Sequence, residues 1–442
     1  MDQREQQPDP TSALFEDRRP GLGQDPRTDR PLDPDQEVQR RVIRVLAAAQ
    51  ILGGVGAGAT LSLGALLAAE TSGSSAWSGM AATMATLGAA AAAVPLANLA
   101  QRKGRRTSLS TGAVVAGCGA LLAIVAASLS LFPLLLVALV LLGAGSATGL
   151  QARFAATDLA TDETRGRSLS LVVWSTTVGA VLGPNLFEPG EAVAGILGIP
   201  PLSGGFVFAA AAQAGAAAVY ALGLRPDPLL TALQRQADSR PAGSASPVRR
   251  RGLGVLARNP AARYAVASIA VSHAAMVSLM AMTPVHLHDH GAGLAVVGLT
   301  ISLHVAGMYA LSPVFGWIAD RAGKTRGILC GQVLLLVALL TAWAGADSEA
   351  WVTVSLVLLG LGWSACLVSA SALLAGAVDI EDRAPAQGSS DLVMNLAGAT
   401  GGALAGPVLV LLGYSGLGLA SAVLVAVVLI WTVNRLTTSA VQ

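Results

Sequence analysis

Between about residue 45 and residue 434 the chain alternates long apolar runs with short polar or glycine-bearing breaks. Twelve runs stand out, at roughly 45–67, 76–97, 109–129, 132–155, 169–187, 204–223, 264–284, 294–316, 328–346, 351–376, 390–413 and 415–434. Each is close to the roughly twenty residues with which a helix crosses a hydrocarbon core of about 30 Å. The pattern predicts an all-α polytopic membrane protein with twelve transmembrane helices in two pseudo-symmetric six-helix bundles. Residues 1–41 read as a disordered polar tail, 42–224 as the first bundle, 225–262 as a polar central connector and 263–436 as the second bundle. The tail has no apolar core or small-residue cleavage site of a secretory signal, and its Pro, Asp, Arg and Gln content cannot build a packed core.

Composition agrees with that reading: 53% of the residues are apolar and only 12% charged, about half the charge of an ordinary soluble domain. Fifty glycines suit helices that approach backbone to backbone in lipid, where small side chains let neighbours pack closely. An even number of spans puts both termini on one side, and charge says which. All 28 Lys and Arg residues fall in the tail, in alternate loops or at the span ends facing those loops. Basic loops stay in the cytosol, so both termini are expected there, in a multi-pass protein of the plasma membrane. The opposite loops carry Glu70, Glu188, Glu191, Asp289, Asp347 and Glu349. Cys118, Cys330 and Cys366 lie inside apolar runs without metal-type spacing, so neither a disulfide nor a zinc site is expected.

A repeat joins the two halves. Gly316-Trp317-Ile318-Ala319-Asp320-Arg321-Ala322-Gly323-Lys324-Thr325-Arg326 forms a charged, glycine-bracketed turn of about ten residues between spans eight and nine, and Ala97–Arg106 repeats it 219 positions earlier. The second copy matches G-x-x-x-D-R-x-G-[RK]-x-R and resembles the signature loop of the major facilitator superfamily. A second pattern, Gly179-Ala180-Val181-Leu182-Gly183-Pro184, resembles the element that marks the proton-coupled antiporters of that superfamily, and Gly402-Ala403-Leu404-Ala405-Gly406-Pro407 echoes it in span eleven. The resemblance spans residues 42–436. It implies a secondary transporter that works by alternating access, and it assigns gating to Arg102, Gly104, Arg105, Gly316, Asp320, Arg321, Gly323, Lys324 and Arg326. In this family the acidic loop residue is thought to sit against a helix N-terminus of the other half. The first copy departs from the pattern, with Gln101 at the acidic position and Ala97 at the first glycine, so the latch is expected to lean on Asp320. The fifth-span element ends in Asn185-Leu186 rather than Gly-Gly, and span four lacks an arginine near its outer third.

The residues carry a reading of their own. Gly179, Gly183 and Pro184 remove two side chains one turn apart and then a backbone donor, which favours bending and close approach. Asp320 beside Arg321, Lys324 and Arg326 offers an exchangeable set of ion pairs, and exposed pairs worth about 0–1 kcal/mol each suit a gate that breaks every cycle. Asp158, Glu163, Arg165, Glu381, Asp382 and Arg383 form matching loops at the same mouth. His273 and His304 fall near mid-span. Each either carries a coupling proton or binds an anionic substrate, or is a neutral histidine that donates one hydrogen bond inside the bundle. Gln50 and Trp363 lie on spans that line the central cavity in the resembled family. Asp391 reads as a charge at the N-terminus of span eleven. His286, His288 and His290 with Asp289 have donors for a borderline metal but sit where a polar loop is expected, so no metal site is assigned.

The sequence contains no phosphate-binding loop and no nucleophile elbow, so an enzyme is not expected, and neither is a cofactor or a nucleic-acid partner. The expected function is proton-coupled efflux of a small drug-like or metabolite molecule by a monomer in the lipid bilayer. The alternatives are transport of a metal ion or metal chelate, and a non-transporting receptor or assembly partner with this fold.

Overall fold

The computed structural model describes residues 34–74, 77, 80–182, 187–239 and 252–440. The tail through residue 33, Gly183 and Pro184 of the fifth-span motif, and residues 240–251 of the connector lie outside the described residues. The chain divides into Met1–Val38 and Gln39–Gln442. Helix is present from Pro34, within the last part of the segment read as tail.

Among the described residues every regular element is a helix. α1 (Pro34–Ser72), α2 (Met80–Ser128), α3 (Phe132–Ala155), α4 (Arg165–Leu182) and α6 (Gly204–Gly223) cover the first six expected spans, with a short α5 (Phe187–Leu197) before α6. α9 (Pro260–Asp289), α10 (Leu294–Tyr309) with α11 (Ser312–Arg321), α12 (Lys324–Ala344), α13 (Glu349–Ala377) and α14 (Ile380–Ala440) cover the rest. Among the described residues eight helical stretches are long and apolar enough to cross a membrane, α2 and α14 among them. α2 with 49 residues and α14 with 61 are more than twice the length one crossing needs. Each contains one non-helical glycine, Gly104 at φ 85° in α2 and Gly413 at φ 70° in α14. That left-handed conformation costs a residue with a Cβ more than it costs glycine. The chain therefore reverses in about one residue, and α2 and α14 each supply two crossings.

The same economy corrects the expected ten-residue turn. α11 continues through Arg321, and only Ala322 and Gly323, the latter at φ 102°, separate it from α12. The connector is also more regular than its polar sequence suggested, since it holds α7 (Pro228–Asp238) and α8 (Gly252–Arg258). The Asp227 carboxylate caps α7 by accepting from the Leu229 and Leu230 amides. Asn259 caps α9 through the Ala261 and Ala262 amides and donates to the Ala377 carbonyl, tying the start of α9 to the end of α13.

Two cores lie on either side of the chain's midpoint. One gathers Leu63, Leu67, Leu135, Leu139 and Phe206, and the other Tyr264, Leu279, Leu335, Leu356 and Trp363. A smaller cluster of Leu169 and Val173 with Phe315, Ala365 and Val368 joins them. Val410, Leu411 and Leu412 are exposed at 86%, 80% and 60%, an apolar surface that water would not tolerate and lipid does.

Candidate functional site

Contacts between the earlier helices (α1 to α6) and the later ones (α9 to α14) concentrate at the end that carries the basic loops. Asp320, in the last turn of α11, accepts from the Gly166 and Arg167 amides through its two carboxylate oxygens, both at 2.7 Å. These amides belong to the first turn of α4, whose free N–H groups and dipole favour an anion. Backbone crosses backbone beside this cap. A Cβ at Gly166 would lie 2.8 Å from the Gly316 carbonyl oxygen, and one at Gly316 would lie 2.6 Å from that of Gly166. The expected partners of Asp320 differ from the observed ones. Lys324 pairs with Asp162 at 2.9 Å, Arg321 lies over the Trp317 ring at 5.6 Å, and Arg326 donates to the Ala322 carbonyl. Both Asp320 oxygens are occupied by helix amides instead, the stronger use of a carboxylate at this spot.

The first-half copy is built differently. Gln101 donates to the Glu381 carbonyl at the start of α14. Arg105 is fully buried and grips Asp158 through Nε at 2.8 Å and Nη2 at 3.2 Å, and Nη2 also donates to Gln387 of α14 at 2.5 Å. Arg102 is exposed. The acid missing at position 101 has a partial substitute from the connector: Asp227 accepts from the Arg106 amide at 2.7 Å, just past the Gly104 reversal. Arg165 pairs with Asp162. Asp158, Arg165, Gln236, Asp379 and Arg383 line a cleft of about 380 Å³ at this mouth.

Deeper in, a polar and aromatic cluster spans five helices. Arg153 of α3 donates from Nη2 to Asp391 of α14 at 2.6 Å, with both side chains 1% exposed. Asp391 is not at a helix start, because α14 begins at Ile380 and carries it eleven residues in. It is instead half of a buried ion pair that joins the two halves of the sequence. Trp363 of α13 donates from Nε1 to His273 Nδ1 of α9 at 3.0 Å, and Tyr309 of α10 meets the Trp363 ring edge-on at 6.1 Å. An indole only donates, so His273 holds its proton on Nε2. Arg153 interacts electrostatically with both His273 and Tyr309.

The other predicted residues sit apart from that cluster. Gln50 donates to Thr176 at 3.0 Å, bridging α1 and α4. His304 is buried between α10 and α13, with Nδ1 2.7 Å from the Leu356 carbonyl oxygen, an intrabundle contact away from Trp363. His286 Nε2 is 2.7 Å from the Ala346 carbonyl oxygen and its ring stacks on Tyr414, while His290 Nδ1 bonds the His286 carbonyl. Gly179 lies against α1, where a Cβ would be 2.7 Å from the Gly54 Cα. In α14 the close approach to α9 falls at Gly398 and Gly401, against His273 and Ala274. Gly402 has only Val277 near it and Gly406 faces open space, so the tight contact lies up to a turn earlier in α14 than the motif. Pro407 lies inside α14. Sequence reasoning passed over Arg153, Gln387, Gly166 and Asp227 as functional residues. For Arg153 and Asp391 the available signal was a charge within an apolar run.

These features define a class: a multi-pass, all-helical membrane transporter whose two sets of helices close against each other at one end. The sequence matches the Major Facilitator Superfamily over residues 46–293 and 265–440. It is 37% identical over 413 residues to the uncharacterized MFS-type transporter YdeG of Bacillus subtilis (strain 168), covering 91% of this chain and 94% of that one. It is 30% identical over 364 residues to the riboflavin transporter RfnT of Brucella anthropi, covering 81% of this chain and 87% of that one. The fold is that of the human organic anion transporter MFSD10 (TETRAN), with a TM-score of 0.72 at 16% identity over 91% of this chain and 100% of that one. The chain belongs to the major facilitator superfamily, whose members are transporters rather than enzymes.

Proposed function

We propose that the protein is a proton-coupled secondary transporter that exports a small drug-like or metabolite molecule by alternating access. The observation that carries this reading is the one-sided closure. Asp320 on α4, Arg105 on Gln387 and Arg153 on Asp391 all tie the early helices to the late ones towards the basic end. In this reading residues 42–224 and 263–436 are the rocking units, the basic end and both termini face the cytosol of a plasma membrane, and a monomer in the bilayer suffices. His273, which accepts from Trp363, and the Arg153–Asp391 pair are the groups placed to register a proton. Gly179 against Gly54 supports a close-packed pivot between α4 and α1.

A second reading, riboflavin or a similar flat ring compound as the cargo, is favoured by one specific observation, the 30% identity with a protein named a riboflavin transporter. Both readings share one experiment. Inverted and right-side-out vesicles holding the protein are given a pH gradient and offered riboflavin and a panel of small aromatic compounds. Accumulation that follows the proton gradient is expected, and its sense decides direction. Flux of a transported compound that ignores the gradient overturns proton coupling.

A further inference from the structure

We propose that the Arg153–Asp391 pair is the substrate-recognition centre, taking an aromatic monoanion on Arg153 while Asp391 takes up one proton. This inference rests on the proton-coupled transport part of the reading above and reverses its direction. Arg153 is 1% exposed and Asp391 is buried, yet the pair uses only part of its hydrogen-bonding capacity. Nε and Nη1 of Arg153 and Oδ2 of Asp391 have no hydrogen-bond partner among the described residues. A guanidinium has five donors in a rigid fork that fits a carboxylate two-pronged. One Asp391 oxygen occupies one prong, and two donors remain for an anionic head group.

The aromatic preference follows from the surroundings. Trp363, Tyr309 and His273 form a connected set of ring contacts on the side of α9, α10 and α13. Trp363 is buried, whereas His273 and Tyr309 are half-buried, and a flat ring that stacks on them adds to the hold on its anionic head.

Charge balance supplies the coupling. A second anion beside an ionised Asp391 would leave two negative charges on one guanidinium in a water-poor site, which is costly. Protonation of Asp391 to the neutral acid restores neutrality, frees the prong it occupied and gives Oδ2 a hydrogen to donate. The charged groups that face Asp391 are Arg153 on α3 and Arg105 on α2, and Arg105 is already matched by Asp158. Tyr309 on α10 and His273 on α9 face Arg153. Only Asp391 contacts the guanidinium directly, at 2.6 Å, so Asp391 is the group placed to absorb the proton when an anion arrives on Arg153. Anion and proton then bind together, one to one, so at this site an inward proton gradient carries the anion inward, the opposite sense to the export proposed above.

The test uses the full-length protein in detergent and three probes with one ring and different heads: naphthoate, naphthalenemethanol and naphthylmethylammonium. Titration calorimetry in two buffers of different ionisation enthalpy reads both affinity and protons taken up. Naphthoate is expected to bind at least about tenfold more tightly than either other probe, with about one proton taken up per ligand. Arg153→Lys, which keeps the charge and loses the fork, is expected to weaken naphthoate by about tenfold or more. Asp391→Asn is expected to abolish the proton uptake that accompanies naphthoate binding. A monodisperse size-exclusion profile shows that each variant is folded, and the two variants probe the site independently. Absent naphthoate binding, preference for the cation, or proton uptake that survives in Asp391→Asn overturns the proposal. Gradient-driven flux with no Asp391-linked proton uptake sinks this site and leaves the transport reading standing. Proton-linked naphthoate binding with gradient-blind flux does the reverse.

Discussion

Asp320 and Gly316 matter through two helix amides and one missing side chain. Removing the carboxylate in Asp320→Ala deprives the first turn of α4 of its cap, a change worth about 0.5–2 kcal/mol for a cap residue. That corresponds to a roughly 2- to 30-fold shift of the population towards an open basic end. Spin labels at the exposed positions Glu163 and Arg326 would report it as a longer distance, and an unchanged distribution would remove Asp320 from the gate. Gly316→Val acts on the same contact by sterics. Its Cβ would meet the Gly166 carbonyl and the Ser170 side chain, so the same labels should report an end that cannot close. The neighbouring Asp162–Lys324 pair behaves otherwise. Hydrogen bonding by Lys324, with support from Arg165, holds the Asp162 carboxyl below its usual range. A carboxylate depressed in the folded state contributes stability above its unfolded pKa of about 3.9 and loses it as pH falls through the folded value. That window lies far below neutrality, and Asp162 is 68% exposed, so this pair is a weak tie and no sensor of physiological pH.

The spans themselves were legible in the sequence because a hydrocarbon core imposes a length. Glycine-bracketed breaks marked the reversals between them. What was overestimated was the size of those breaks: a chain that reverses at one left-handed glycine, as at Gly104, keeps charged residues inside helices where the eye reads a loop. The same error hid Arg153 and Asp391, assigned to span ends by their charge, when their burial depends on a partner 238 residues away that one-dimensional reading cannot see. Helix crossings were half legible. Small residues spaced four apart identified α4 and α14 as close-packing helices, but the face that meets a neighbour depends on rotation about the helix axis. Gly179 met α1, whereas in α14 the contact moved to Gly398 and Gly401. This difference is measurable. Gly179→Leu pushes a side chain into the α1 backbone and should cost about 1–3 kcal/mol or more, as overpacking does. Gly406→Leu faces open space and should stay within about 1 kcal/mol, the propensity gain of losing a glycine included. Thermal unfolding in detergent should separate the two variants clearly, and equal losses would mean that the α1–α4 crossing is not tight.

At the scale of the molecule, the closed end holds two buried ion pairs, Arg105–Asp158 and Arg153–Asp391, together with the Asp320 cap. Counting these as large stabilising terms would lock the transporter. Charges taken out of water forfeit most of what they gain from pairing, and in an open state of the proposed cycle Arg153 and Asp391 would separate and rehydrate. The two states can then differ by only the few kcal/mol that a ligand or a proton is able to tip. Such a balance requires that the end which opens and the end which closes be coupled through rigid sets of helices rather than through local melting. Labels at Glu163 and Arg326 report the basic end, and labels at the exposed Glu70 and Asp347 report the opposite one. Under conditions that drive transport, the first distance should lengthen as the second shortens, in the same molecules and with no loss of helix. Asp158→Asn, which strands Arg105 without its carboxylate, should push the resting population the same way without any substrate, since breaking one partner of a buried pair costs about 3–5 kcal/mol in the state that buries it. Two distances that vary independently would mean that these helices do not move as bodies, and alternating access would have to be abandoned for this chain.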